Sequence, residues 1–180
     1  MIIQDLLKKN KAAILERWLH LILETYPAET SALLKKEKDR FINPVGSTIS
    51  REIETLFQEL LQDMNSDRLS ASLSAILKIR SVQDFSPSGA AGFIFLLKRS
   101  VQEILRSEIQ KESVLEEWLK FHSKIDELAL LAFDIYMDCR EKICEIKVNK
   151  AMADKEMALK MLERIGFPKE KSQKGKGSDG

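Results

Sequence analysis

Glycine and proline are scarce, 7 and 4 residues in a chain of 180. An all-β protein draws on both for a turn about every ten residues, so that class is excluded. Cysteine is scarcer still. Cys139 and Cys144 stand five apart on a helical pattern, where they face different directions and do not bridge. They read as two reduced thiols with no zinc-type cluster around them. An excess of one charge is also missing: 29 Lys+Arg against 28 Asp+Glu leave a formal net charge of +1. That balance argues against binding nucleic acid or an anionic membrane by bulk charge. The longest apolar run, Gly92-Phe93-Ile94-Phe95-Leu96-Leu97, stops at Lys98 and Arg99, whereas a membrane-spanning helix needs about 20 such residues. The start, Met1 to Lys9, lacks the order of a signal peptide. These absences place the protein in the cytoplasm without membrane insertion.

What is present points to helices. Hydrophobic residues make up 44% and charged residues 32%, enough for a buried core. Leu6, Leu7, Ile14, Leu15, Trp18, Leu21 and Ile22 recur at three- and four-residue steps, predicting one helix from about Ile2 to Tyr26. Asn43-Pro44-Val45-Gly46 reads as a cap followed by proline in the first turn, opening a helix that runs to Met64. Ser66 is the expected cap of the next helix, and Ser86-Pro87 restarts the chain after it. Gly89-Ala90-Ala91-Gly92 then offers small residues for a close helix approach.

The last pattern starts near Glu112 and meets no Pro or Gly before Gly166. One straight helix of that span is about 80 Å long, at 1.5 Å per residue, and outreaches a domain of this size. Leu128 to Cys139 is apolar on every side and is expected in the core. Farther on, Ile143, Ile146, Ala153, Met157 and Met161 keep a three-four spacing interrupted by Lys150, a seam that wants a partner helix. Gly166 and Pro168 end the pattern. The expected organisation is a regulatory helical domain over residues 1–166 and a disordered polar tail over 167–180.

Chemistry is sparse. His20 and His122 belong to no HExxH pair, the cysteines form no Cys/His arrangement, and neither GxxxxGK(S/T) nor GxGxxG occurs. Catalytic residues, metal ligands and cofactors are therefore expected to be absent, and the protein is read as no enzyme. Haem in a helical core needs an axial histidine. His122 is the better placed of the two, which leaves a ligand- or haem-carrying sensor as the alternative reading.

One stretch is more specific. Lys78-Ile79-Arg80-Ser81-Val82-Gln83-Asp84-Phe85-Ser86-Pro87-Ser88, followed by Phe93 to Lys98, resembles the N-terminal domain of the RsbR/RsbRD stressosome co-antagonists, and Asn43 to Gly46 matches a family-like N-P-V-G helix start. These proteins regulate the bacterial general stress response. The resemblance implies an all-α, globin-like bundle without haem and with a long C-terminal helix. It also implies homodimerisation and contact with a separate signalling or regulatory protein. In the family that helix leads into a STAS domain; here only a short tail follows Gly166, so the expectation is a free-standing sensor or adaptor. Arg80, Phe85 and Lys98 are the candidate partner or ligand site. Ile143, Ile146, Ala153, Met157 and Met161 form the candidate dimer helix.

Overall fold

The computed structural model describes residues 2–36, 42–83 and 85–166, and every regular element among them is helical. The elements in chain order are α1 (Ile2–Lys9), α2 (Lys11–Glu24), α3 (Ala28–Lys36), α4 (Pro44–Leu60), α5 (Ser66–Ser81), α6 (Pro87–Ala91), a 3₁₀ turn (Gly92–Ile94), α7 (Phe95–Ile104), α8 (Arg106–Ile109) and α9 (Glu112–Arg164). The chain divides into two compact units, Met1–Glu141 and Lys142–Gly180. The protein is all-α, as expected, and its last helix is long. The tail expected over 167–180 lies outside the described residues.

The first unit is built on α2, which packs against α4 and α7, while α5 packs on α4. Trp18 of α2 is fully buried, donates its indole N–H to the Phe93 carbonyl at 2.8 Å and stacks on the Phe93 ring. That bond satisfies both polar groups, which burial otherwise penalises. Ile49, Ile53, Leu56 and Phe57 of α4, and Leu73, Ile76 and Leu77 of α5, complete the core at helical spacing. At the surface, Arg17 of α2 and Arg99 of α7 both donate to the Glu103 carboxylate. These two bonds hold its pKa down to about 2.

Helix boundaries follow local chemistry. Asn43 accepts from the Gly46 N–H at 2.8 Å and donates to the Leu34 carbonyl at 2.9 Å, so one side chain caps α4 and ties it to α3. A Cβ at Gly46 would stand 2.4 Å from Asn43 Nδ2. This close approach is why glycine closes the N-P-V-G motif. Gly92 is the converse, with no neighbouring atom within 4 Å of an added Cβ, so the close helix approach expected at this glycine is not realised. Gly46→Ala is therefore expected to lower the unfolding free energy by about 1–2 kcal/mol by displacing the cap. Gly92→Ala is expected to leave stability unchanged or raise it by up to about 1 kcal/mol. Urea unfolding of both variants checks the contrast.

Three expectations change. The first helix is split at Asn10, although the Asn10 N–H still donates to the Leu6 carbonyl, which also accepts from the Asn10 side-chain amide, and the Ile14 N–H to the Asn10 carbonyl. Asn65, not Ser66, caps α5, accepting from the Arg68 N–H at 3.0 Å. And the 128–139 stretch is not buried all round: Leu128, Ala129, Ala132 and Tyr136 face the core, whereas Leu130 is 70% exposed, Phe133 42% and Met137 37%.

Within the first unit, α9 is held at several points. The Ile3 N–H donates to Glu117 at 2.8 Å, placing a carboxylate at the start of α1. Lys124 donates to the Gln62 carbonyl just past the end of α4. Tyr136 Oη donates to the Phe85 carbonyl at 3.0 Å, and Arg140 Nη1 to the Ser81 carbonyl at 3.1 Å. In the second unit, residues 142–164 are helical and exposed throughout except Ile143, which is half-buried. Gly166 follows with φ +86°, a left-handed conformation that glycine adopts without strain at a helix end.

Candidate functional site

The K-I-R…F-S-P stretch forms the end of α5, the turn after it and the start of α6. Ser86 accepts from the Gly89 N–H and Pro87 occupies the first turn, so this restart is where the sequence places it. The turn brings Arg80 and Phe85 together, with the guanidinium carbon 3.9 Å from the Phe85 ring centroid. Two further rings surround the same carbon, Tyr26 at 5.2 Å and Phe93 at 5.7 Å. Tyr26 and Phe85 meet edge to face.

Arg80 is fully buried. Its Nη2 donates to Thr25 Oγ1 at 3.0 Å and to the Gly89 carbonyl at 3.1 Å, which joins the end of α2 to α6. Nε and Nη1 have no hydrogen-bond partner, and neither has Tyr26 Oη or Gln83 Oε1. No carboxylate among the described residues pairs with this cation. The aromatic faces offset part of its charge, but burial still pulls the guanidinium pKa below its ordinary value, opposed by Tyr26. Burial likewise pushes the Tyr26 phenol up, against the pull of Arg80. Outside the box lies a cleft of about 720 Å³ lined by Thr25, Tyr26, Pro27, Thr30, Gln83, Phe85 and Ser86.

Lys98 goes elsewhere. Its ammonium pairs with Asp126 of α9 at 2.6 Å and sits 5.6 Å from the Phe95 ring centroid. It links α7 to α9. Tyr26, Thr25 and Phe93, which complete the box, are not among the candidate site residues of the sequence, because only the fold brings them to Arg80.

The remaining candidates are quickly placed. His122 packs edge-on against Trp118, with ring centroids 4.1 Å apart, and its Nε2 is buried without a partner. Burial and then Lys98 lower its pKa, opposed by Asp126. Cys139 and Cys144 are free thiols. Among the described residues, no three His, Cys, Asp or Glu side chains come together to hold a metal ion. No described helix is long and apolar enough to cross a membrane. Of the seam residues in the second unit, Ile146, Met157 and Met161 are 67%, 59% and 56% exposed. Ala153 is exposed too, and Ile143 half-buried.

Comparison with known proteins gives the family of this helical bundle. The profile of the RsbT co-antagonist protein rsbRD N-terminal domain matches residues 12–146. The chain belongs to this family, a stressosome-related signalling domain. It is also 25% identical over 159 residues to an uncharacterized protein of Archaeoglobus fulgidus, covering 86% of this chain and 93% of the relative. No solved structure matches the chain significantly.

Proposed function

We propose that the protein is a non-enzymatic cytoplasmic regulator that works as a homodimer and passes its signal by contact with a separate signalling protein. The observation that carries this reading is the apolar face that α9 leaves uncovered. Leu130, Phe133 and Met137 fall at i, i+3 and i+7, one stripe of a helix, and all three are exposed. Phe95 extends the apolar surface. It is 49% exposed and lies beside Lys98, whose partner Asp126 is one turn before Leu130. Exposed apolar side chains grouped in this way mark an interaction site.

In the second unit, Ile143, Ile146, Ala153, Met157 and Met161 share one side of the helix, while Val148, Met152, Leu159 and Leu162 share the other. The second set is exposed too. We assign the first stripe to the second copy of the chain and the other to the downstream partner. Sedimentation of the full chain beside a chain ending at Cys144 tests this. The expected result is a dimer whose dissociation constant rises by about tenfold or more on truncation. A dimer of unchanged affinity would remove the 142–164 helix from the interface.

A further inference from the structure

The Arg80 box has more hydrogen-bonding capacity than the fold uses. The three rings cover the guanidinium through its π contacts, but ring faces do not satisfy N–H groups that point outward in the guanidinium plane. Nη2 spends its two hydrogens on Thr25 and Gly89. Nε and Nη1 are left over in a side chain with no exposed surface. Buried polar groups are almost always paired, and buried cations are matched by an anion. Here the described residues supply none. A structural arginine tying α2 to α6 has a use for Nη2 alone.

The surroundings indicate what is missing. The Tyr26 hydroxyl, also buried, interacts with the same cation through its oxygen and keeps its own hydrogen free, which makes it a second donor there. On the wall of the adjoining cleft the Gln83 carboxamide oxygen is an orphan acceptor, which a carboxylate does not serve. That cleft combines apolar surface from Pro27, Tyr26 and Phe85 with the hydroxyls of Thr25, Thr30 and Ser86. Its volume of about 720 Å³ suits a small organic molecule. Tyr26 and Phe85 stand between the cleft and Arg80, and Phe85 is only half-buried, on a turn. A rotation of its ring opens the way. We infer that this cleft binds a small organic carboxylate, its anionic group held by Arg80 and the Tyr26 hydroxyl and its apolar body against Pro27 and Phe85. The site sits where the end of α2, the α5–α6 turn and, through the Tyr136–Phe85 bond, α9 meet. A ligand that moves Phe85 therefore acts on the anchor of α9, giving the domain an input independent of whether it dimerises.

The test is side-chain NMR of the labelled full chain. The Nε–H resonance of Arg80, assigned by its loss in Arg80→Met, is followed while benzoate, propionate and inorganic phosphate are added separately at constant ionic strength. The expected result is a saturable shift with benzoate or propionate, weakened about tenfold in Tyr26→Phe, which keeps the ring and removes only the hydroxyl. If phosphate shifts the resonance as strongly, the site holds an adventitious ion only and the assignment is overturned. A resonance that no probe moves means water serves the orphan donors, and overturns it equally. Saturable benzoate binding that persists unchanged in a folded Arg80→Met protein would place the ligand elsewhere. Should Arg80→Met fail to fold, the resonance is assigned instead through its nuclear Overhauser contacts with the Phe85 and Tyr26 rings, and Tyr26→Phe then decides the matter.

Discussion

Arg80→Ala is expected to lower the unfolding free energy by about 3–4 kcal/mol, among the largest effects of any single substitution in this chain. The truncation leaves a cavity between the rings of Tyr26, Phe85 and Phe93. It also strips a donor from Thr25 Oγ1 and from the Gly89 carbonyl. Each buried acceptor left without its partner adds about 1 kcal/mol or more. Arg80→Met should behave differently. It loses the same two donors, but it fills most of the space, contacts the rings with a thioether and removes a buried charge that no carboxylate among the described residues offsets, so its cost is expected to stay near ~2 kcal/mol. Urea unfolding monitored through Trp18 and Trp118 measures both. Equal losses for the two variants would mean that the guanidinium stabilises through its charge and hydrogen bonds and not by filling the space between the rings, contrary to this account.

Leu130→Glu combined with Phe133→Glu is expected to weaken the dimer by about a hundredfold, with little effect on the fold of the protomer. Two carboxylates in the middle of an apolar contact must either be buried without partners or separate the surfaces, and both routes cost more than the lost area alone. A hundredfold change corresponds to about 2.7 kcal/mol, modest for two central positions of an interface. The protomer is spared because neither side chain belongs to its core: Leu130 is 70% and Phe133 42% exposed. Ala132→Glu supplies the contrast. Ala132 lies on the same helix between them but is fully buried, so its substitution should unfold the protomer. Sedimentation velocity and circular dichroism on the three proteins separate the outcomes.

Much of the fold was legible because it is written in short-range signals. Asn43-Pro44 and Ser86-Pro87 start helices where their side chains and fixed φ angles dictate, and the unbroken pattern after Glu112 became one helix ending at Arg164. Adjacent capping residues were harder. Asn65 and Ser66 both fit the role, and the asparagine took it. The break at Asn10 between α1 and α2 is one that no periodicity reveals.

The larger departure was functional. An apolar residue on a helix looks the same whether its own chain or another covers it, so Leu130, Phe133 and Met137 read as core and stand in solvent. The candidate site was half legible. Arg80 and Phe85 are close in sequence and meet through one turn. Tyr26, Thr25 and Phe93 arrive from the end of α2 and from the 3₁₀ turn before α7, and only tertiary packing shows that they enclose a cation with donors to spare.

The central claim is that α9 presents the face of Leu130, Phe133 and Met137 to a second copy of this chain. A native mass spectrum of the full chain, taken across the micromolar range, tests it most directly. The account predicts a species of two chains that gives way to one when Leu130→Glu and Phe133→Glu are introduced together. A single 20.6 kDa chain throughout that range, or a dimer indifferent to both substitutions, would contradict it.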